Sequence, residues 1–346
     1  MKKNRINLNV GFSKLLVSGA LCGAFLFVSC TEDSMDSPEP DMGDAQKMEL
    51  ALKSSTVDPI IIDDLGEGAF KTTTAAGVDR GRFNITLKYL LPPTDRQAEV
   101  FEAAAARWER IIIKDVPSFT GTLPSAFDGL PPVVEEGTVD DIIIEVALAP
   151  IDGPGNILGQ AGPSFVRTDD FLTLSGVMFF DVADLDFLEQ LDLFEEVIVH
   201  EMGHVLGIGT LWNTAPFGFD RTLRVGTPDA PYFAGRKANV FWNAEGGTNE
   251  LPIEGDFGPG TRFGHWDEGA LNNELMTGFL NLGENPLSRI TAGSMSDLGY
   301  GAASVGESYD LPKGTPGIAA KGTGEGLHIA KMETLLQPIG FVNMKK

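Results

Sequence analysis

Two histidines four residues apart, inside an apolar run, constrain this chain more than anything else in it. Residues 193–206 read Leu-Phe-Glu-Glu-Val-Ile-Val-His-Glu-Met-Gly-His-Val-Leu. A helix places positions i and i+4 on one face, so His200 and His204 lie one turn apart and can reach the same point. Leu193, Val197, Ile198, Val205 and Leu206 would bury that helix, leaving its polar face only a cleft to open into. Asp192, with Glu195 three positions on, fits an N-cap, and Gly207 fits a left-handed stop. H-E-x-x-H in this setting points to zinc held by His200 and His204, with Glu201 placed to take a proton from water beside the metal. The alternative is a buried helix whose histidines are satisfied core residues.

A catalytic zinc needs three protein ligands and an open position. The chain has four histidines: His200, His204, His265 and His328. The compact pattern H-E-x-x-H-x-x-G-x-x-H requires a histidine at position 210, which is Thr210. A Gly/Pro-rich insertion over residues 213–264 then leads to Gly264-His265-Trp266. Asn273-Glu274-Leu275-Met276-Thr277-Gly278 follows, and a helical run ends in Asp297-Leu298-Gly299-Tyr300.

This combination resembles the leishmanolysin family of zinc metalloproteases, metzincins with a long insertion before the third histidine. The resemblance spans roughly residues 82–301. It implies an α+β, zincin-like catalytic domain with a mixed twisted sheet, an active-site helix and a Met-turn subdomain. By it, His200, His204 and His265 are the zinc ligands, Glu201 is the catalytic base, and Met276 is the methionine beneath the metal. It also makes Leu158-Gly159-Gln160-Ala161-Gly162-Pro163 the edge strand that lines the substrate, with Gly159, Gln160, Ala161 and Gly162 facing it. The implied activity is endopeptidase hydrolysis of a protein or peptide. The chain departs from the parasite-type members in having no disulfide or pro-segment cysteine, since its two cysteines are Cys22 and Cys30. Gly278 stands where some metzincins have a tyrosine.

Other readings stay open here. A gluzincin would use a downstream glutamate, Glu250 or Glu254, although both sit in a Gly/Pro-rich loop. A surface-binding lipoprotein could keep the fold without catalysis. Glu274 fits either a surface carboxylate or a partner that orients the turn. His328 reads as solvated, and Trp212, Trp242 and Trp266 as packing.

The first thirty residues read as a targeting segment. Lys2, Lys3, Arg5 and Lys14 precede a short apolar run ending Phe27-Val28-Ser29-Cys30, which resembles a bacterial lipobox. Cys30 would then be acylated, and the exported domain anchored to a bacterial membrane, at the cell surface if the following Thr31-Glu32-Asp33-Ser34 acts as an export signal. Residues 31–58 read as an acidic tether and 59–81 as a strand or pro-segment-like strap. The catalytic domain covers 82–301 and a tail 302–346. The formal charge of −23 repels nucleic acid and anionic lipid, which leaves the lipid anchor as the only membrane contact.

Within the domain, residues 84–90 alternate as a half-buried strand. Thr94 caps a helix with the stripe Val100, Phe101, Ala104, Trp108. Residues 121–137 read as loop, 141–148 and 176–181 as buried strands. Residues 327–342 carry enough apolar character for a short helix or strand.

Overall fold

The computed structural model describes residues 50–55, 59–63, 81–311 and 326–344. The targeting segment, Cys30 and residues 31–49 of the tether lie outside them. The chain runs through β1 (Ile60–Ile62), β2 (Ile85–Tyr89) and α1 (Asp95–Ile111), then the hairpin β3 (Phe119–Leu123) and β4 (Val134–Val139). Three longer strands follow, β5 (Ile142–Ala149), β6 (Gly159–Arg167) and β7 (Thr173–Asp181), before α2 (Val182–Gln190) and α3 (Phe194–Val205). The insertion contributes β8 (Arg224–Thr227), β9 (Ala230–Phe233), α4 (Arg236–Ala244) and β10 (Leu251–Pro252). α5 (Glu268–Leu271), α6 (Arg289–Leu298), β11 (Glu333–Leu335) and β12 (Gly340–Val342) complete the order.

The main sheet has the order β1-β12-β6-β7-β5-β2, with β11 also paired to β6. Only β6 and β7 run antiparallel within it. Strand β5 is buried on both faces, which explains why it is apolar throughout except at Glu145. Ile142, Ile144, Val146 and Leu148 pack into the cluster that contains α1 and α3. The alternate side meets the β3–β4 hairpin at Ile143 and Phe127 at Ala147 and Ala149. Glu145 is the polar exception, and its carboxylate accepts bonds from Ser125 Oγ at 2.6 Å and Ala126 N at 2.7 Å.

Helix α1 starts where the sequence places it, with Thr94 and Gln97 exchanging both bonds of a capping box. Its stripe of Val100, Phe101, Ala104 and Trp108 is fully buried. Trp108 Nε1 donates to Val199 O at 2.8 Å, which fastens α1 to the centre of α3. Arg107 reinforces this junction through Glu196 of α3 at 3.1 Å and Glu307 at 2.8 Å.

Two local expectations are corrected. Leu193, not Asp192, occupies the cap of α3 and makes no side-chain bond. Asp192 lies at φ +58° in a tight connection where Leu193 N returns to Leu188 O, so its backbone belongs to the turn from α2 instead of to an N-cap. Residues 121–137 are not simply loop, because both ends join the β3–β4 hairpin, with the Thr120 and Thr138 hydroxyls 2.9 Å apart.

The lower subdomain is built on α6. Asp297 accepts from Lys237 N and Ala238 N, both at 2.9 Å, and so caps α4, whose own cap residue is Gly235. Trp212 stacks on Trp266 at 4.7 Å and Phe233 closes the cluster edge-on, so these tryptophans pack as expected. Among the described residues no helix is long and apolar enough to cross a membrane.

Candidate metal centre

Helix α3 presents His200 and His204 from one face, with ring centroids 4.7 Å apart. Directly after it, Gly207 and Gly209 take φ +112° and +74°, turning the chain so that Ile208 O meets His204 Nδ1 at 2.9 Å. A Cβ at Gly209 would lie 2.2 Å from Gly264 O, so only a glycine lets this turn approach the segment that carries His265. Thr210, at the position of the compact pattern's third histidine, instead donates its hydroxyl to His204 O at 2.7 Å.

The third ring arrives from the far end of the insertion. His265 Nε2 stands 3.3 Å from His200 Nε2 and 3.1 Å from His204 Nε2, while the latter two are 3.0 Å apart. Every Nδ1 faces a backbone carbonyl: His200 meets Leu275 O at 2.7 Å, His204 meets Ile208 O, and His265 meets Thr261 O at 2.9 Å. A carbonyl can only accept, so each Nδ1 carries the proton and each Nε2 turns a lone pair inward. Four ligands held about 2.0–2.1 Å from one zinc ion stand about 3.3 Å apart, close to the spacing observed. All three rings are fully buried.

Two carboxylates share the site. Glu201 is fully buried, and among the described residues no basic side chain or backbone amide hydrogen-bonds to its oxygens. Burial, and then the neighbouring Glu333, holds its carboxyl well above the usual range. Glu333, on β11, places Oε1 2.9 Å from His265 Nε2 and Oε2 3.4 Å from His200 Nε2 and 3.9 Å from His204 Nε2. Burial alone would raise Glu333, but the imidazoles around it, His265 foremost, pull it well below its usual range. Burial outweighs the pull of Glu333 and holds His204 well below its ordinary value, whereas at His265 the closer carboxylate prevails and raises it. A proton on His265 can satisfy one of these contacts. A single divalent cation satisfies them all, and the four groups fit one.

Met276 lies under α3. A Cβ at Gly203 would be 2.8 Å from its Sδ and 2.9 Å from Trp108 Cζ2, so the glycine of the H-E-x-x-H run is where helix, methionine and tryptophan meet. Glu274 proves to be a buried brace for this turn. Its carboxylate accepts from Met276 N at 2.7 Å, Ser288 N at 3.1 Å, Ser288 Oγ at 2.7 Å and Thr291 Oγ at 2.5 Å. Trp266 continues the support, with its N–H on Met276 O and its indole donating to Thr291 Oγ.

Three expectations change. Neither gluzincin candidate reaches the centre: Glu250 is exposed, and Glu254 accepts from Asp256 N at 2.7 Å and Glu268 N at 3.2 Å. The reason is that the loop carrying Glu254 folds back on α5. His328 is half-buried and not free in solvent, because its ring stacks on Phe279 at 3.9 Å and its Nε2 lies 3.0 Å from Thr261 Oγ. Finally, the edge of β6 at Gly159–Gly162 is not free, since β11 pairs along it. Glu333 itself had no sequence signal, for Met332-Glu333-Thr334-Leu335 matches no ligand motif and lies far beyond His265.

Comparison with known families gives a match to the model described as Peptidase_M8: Leishmanolysin over residues 114–315. That stretch contains all three histidines, Glu201 and Met276, and ends before Glu333. No individual curated protein matches the chain. With more than half of its length covered by this match, the chain belongs to the leishmanolysin family of zinc metallopeptidases.

Proposed function

We propose that the protein is a zinc endopeptidase that hydrolyses peptide bonds within protein substrates, with Glu201 as general base. The observation that carries this reading is the convergence of three Nε2 lone pairs beside the buried Glu201 carboxylate, which no basic group or backbone amide among the described residues engages. Bound among these rings, zinc supplies a Lewis acid that brings the pKa of water toward about 7 and polarises a carbonyl. The residues of the chain do the rest. Three backbone carbonyls keep the imidazoles in the tautomer that offers Nε2. Glu201 accepts the proton of the attacking water and hands it to the leaving amine. Along β6, Gly159, Gln160, Ala161 and Gly162 would offer backbone groups to an extended peptide once β11 leaves that edge.

Elemental analysis tests the metal assignment without any turnover. Zinc should be retained by Glu201→Ala and lost in large part by His265→Ala. Casein cleavage should vanish in Glu201→Ala, and cleavage by that zinc-loaded variant at the parental rate would overturn the role given to Glu201.

The N-terminal sequence supports export as a lipoprotein, with Cys30 acylated and the domain tethered outside the cell. Labelled palmitate should enter the parent chain and not Cys30→Ser.

A further inference from the structure

The C-terminal tail lies where a substrate would have to lie. β11 runs parallel to β6 with Glu333 opposite Gly159, Thr334 opposite Gln160 and Leu335 opposite Ala161. Met332 O accepts from Leu158 N at 2.7 Å, and Leu336 N donates to Ala161 O at 2.8 Å. β12 continues the cover, pairing with β6 from Phe165 to Arg167. The side of β6 that faces away from β7 is therefore filled by the chain's own tail.

The fit is close at two glycines. A Cβ at Gly162 would stand 2.3 Å from Leu336 O, and one at Gly264 would stand 2.4 Å from Leu335 Cδ1. A cleft of about 430 Å³ remains beside the strand, between Arg262 and Phe263 of the insertion and Thr334, Leu335 and Gln337 of the tail.

At the head of this strand the Glu333 side chain is fully buried, and all three Nε2 atoms lie within 3.9 Å of its oxygens. An ionised carboxylate is expensive to bury unless a cation compensates it. A catalytic zinc needs three protein ligands and an open position, whereas four protein ligands close the site. Glu333 also lies outside the stretch that matches the family model.

We propose that residues 332–336 are a built-in inhibitory strap, in which Glu333 is a fourth metal ligand and β11 takes the substrate's place on β6. This rests on the endopeptidase reading and adds the control of that same site. The strap presents a side-chain carboxylate to the metal instead of a peptide carbonyl, so it blocks the centre without offering a bond to cut. Being tethered, it competes with substrate at an effective concentration of order millimolar. Substrates or processing events that displace it convert a closed site into an open one.

The test uses the full chain with Glu333→Ala, with Leu336→Pro as a second variant that keeps the carboxylate but removes the amide bonded to Ala161. Three readouts apply: the visible absorption of the cobalt-substituted protein, calorimetric binding of a peptide hydroxamate, and casein cleavage. Loss of a carboxylate ligand should change the cobalt spectrum of Glu333→Ala. Hydroxamate affinity and cleavage should each rise about tenfold or more in both variants, as for a parent whose competent form is a tenth or less of the total. A parental cobalt spectrum together with parental hydroxamate affinity overturns the strap. If spectrum and affinity change as expected but zinc-loaded Glu333→Ala cleaves no better than Glu333→Ala/Glu201→Ala, the strap stands and the peptidase reading fails.

Discussion

Removing the Glu274 carboxylate should damage both the stability of the domain and the geometry of the metal centre. Glu274 is fully buried and accepts four hydrogen bonds, two from backbone amides (Met276 and Ser288) and two from hydroxyls (Ser288 and Thr291). In Glu274→Ala the hydroxyls can turn to other acceptors, but the two amides cannot. A buried donor left without a partner costs about 1–3 kcal/mol, so two of them predict a loss of about 2–6 kcal/mol. Glu274→Gln should fall in between, because one amide oxygen still accepts while the new NH2 faces donors. Leu275 O, which orients His200 through Nδ1, is one residue from the brace, so zinc affinity should also drop, by about 10–100-fold as for other lost supporting bonds. Urea unfolding of the chelator-treated chain measures the first effect, and zinc competition against a fluorescent chelator measures the second. A surface carboxylate would change stability by less than about 0.5 kcal/mol. Such a small change in Glu274→Ala, with parental zinc affinity, would refute the bracing role.

Gly203→Ala adds a methyl 2.8 Å from Met276 Sδ and 2.9 Å from Trp108, and should cost about 1–3 kcal/mol in urea unfolding with weakened zinc binding. Arg107→Ala removes the cation that bridges Glu196 and Glu307, both partly exposed, and should cost about 1–3 kcal/mol; in a double-mutant cycle with Glu307→Ala the two losses should not add. Stability should fall as pH rises through the neutral range. Burial, the largest cause in each case, raises Asp267 to about 6, Asp141 to about 7 and Glu268 to about 8, so between the ordinary carboxylate range and these values the folded state binds more protons than the unfolded one. The urea midpoint should therefore be higher at pH 5.5 than at pH 8.5, and Glu268→Gln, which stays neutral, should flatten that difference.

The sequence made the centre legible because its constraints are local. The i, i+4 spacing of His200 and His204 carries its own geometry on a helix, and Thr94 with Gln97 carries a cap in four residues. His265 was legible through its neighbours, Trp266 and the Glu274-Leu275-Met276 turn, each of which touches the support of the site. Where sequence reasoning erred, the deciding contact was remote. Nothing near Asp192 reveals that Leu193 N returns to Leu188 O, and nothing near His328 reveals the Phe279 ring on which it stacks. Glu333 is the extreme case. Its neighbours Thr334 and Leu335 lie in a stretch that reads equally as a short helix or a strand, and only the pairing to β6 makes them part of the centre. The glycines and proline of β6 signal an edge strand, since an edge tolerates them. That signal identifies a strand able to receive another chain without saying which chain arrives. A peptide from outside and the tail of the same molecule satisfy identical backbone groups. The difference between an open and a closed centre therefore rests on one carboxylate and the few backbone bonds that hold it there.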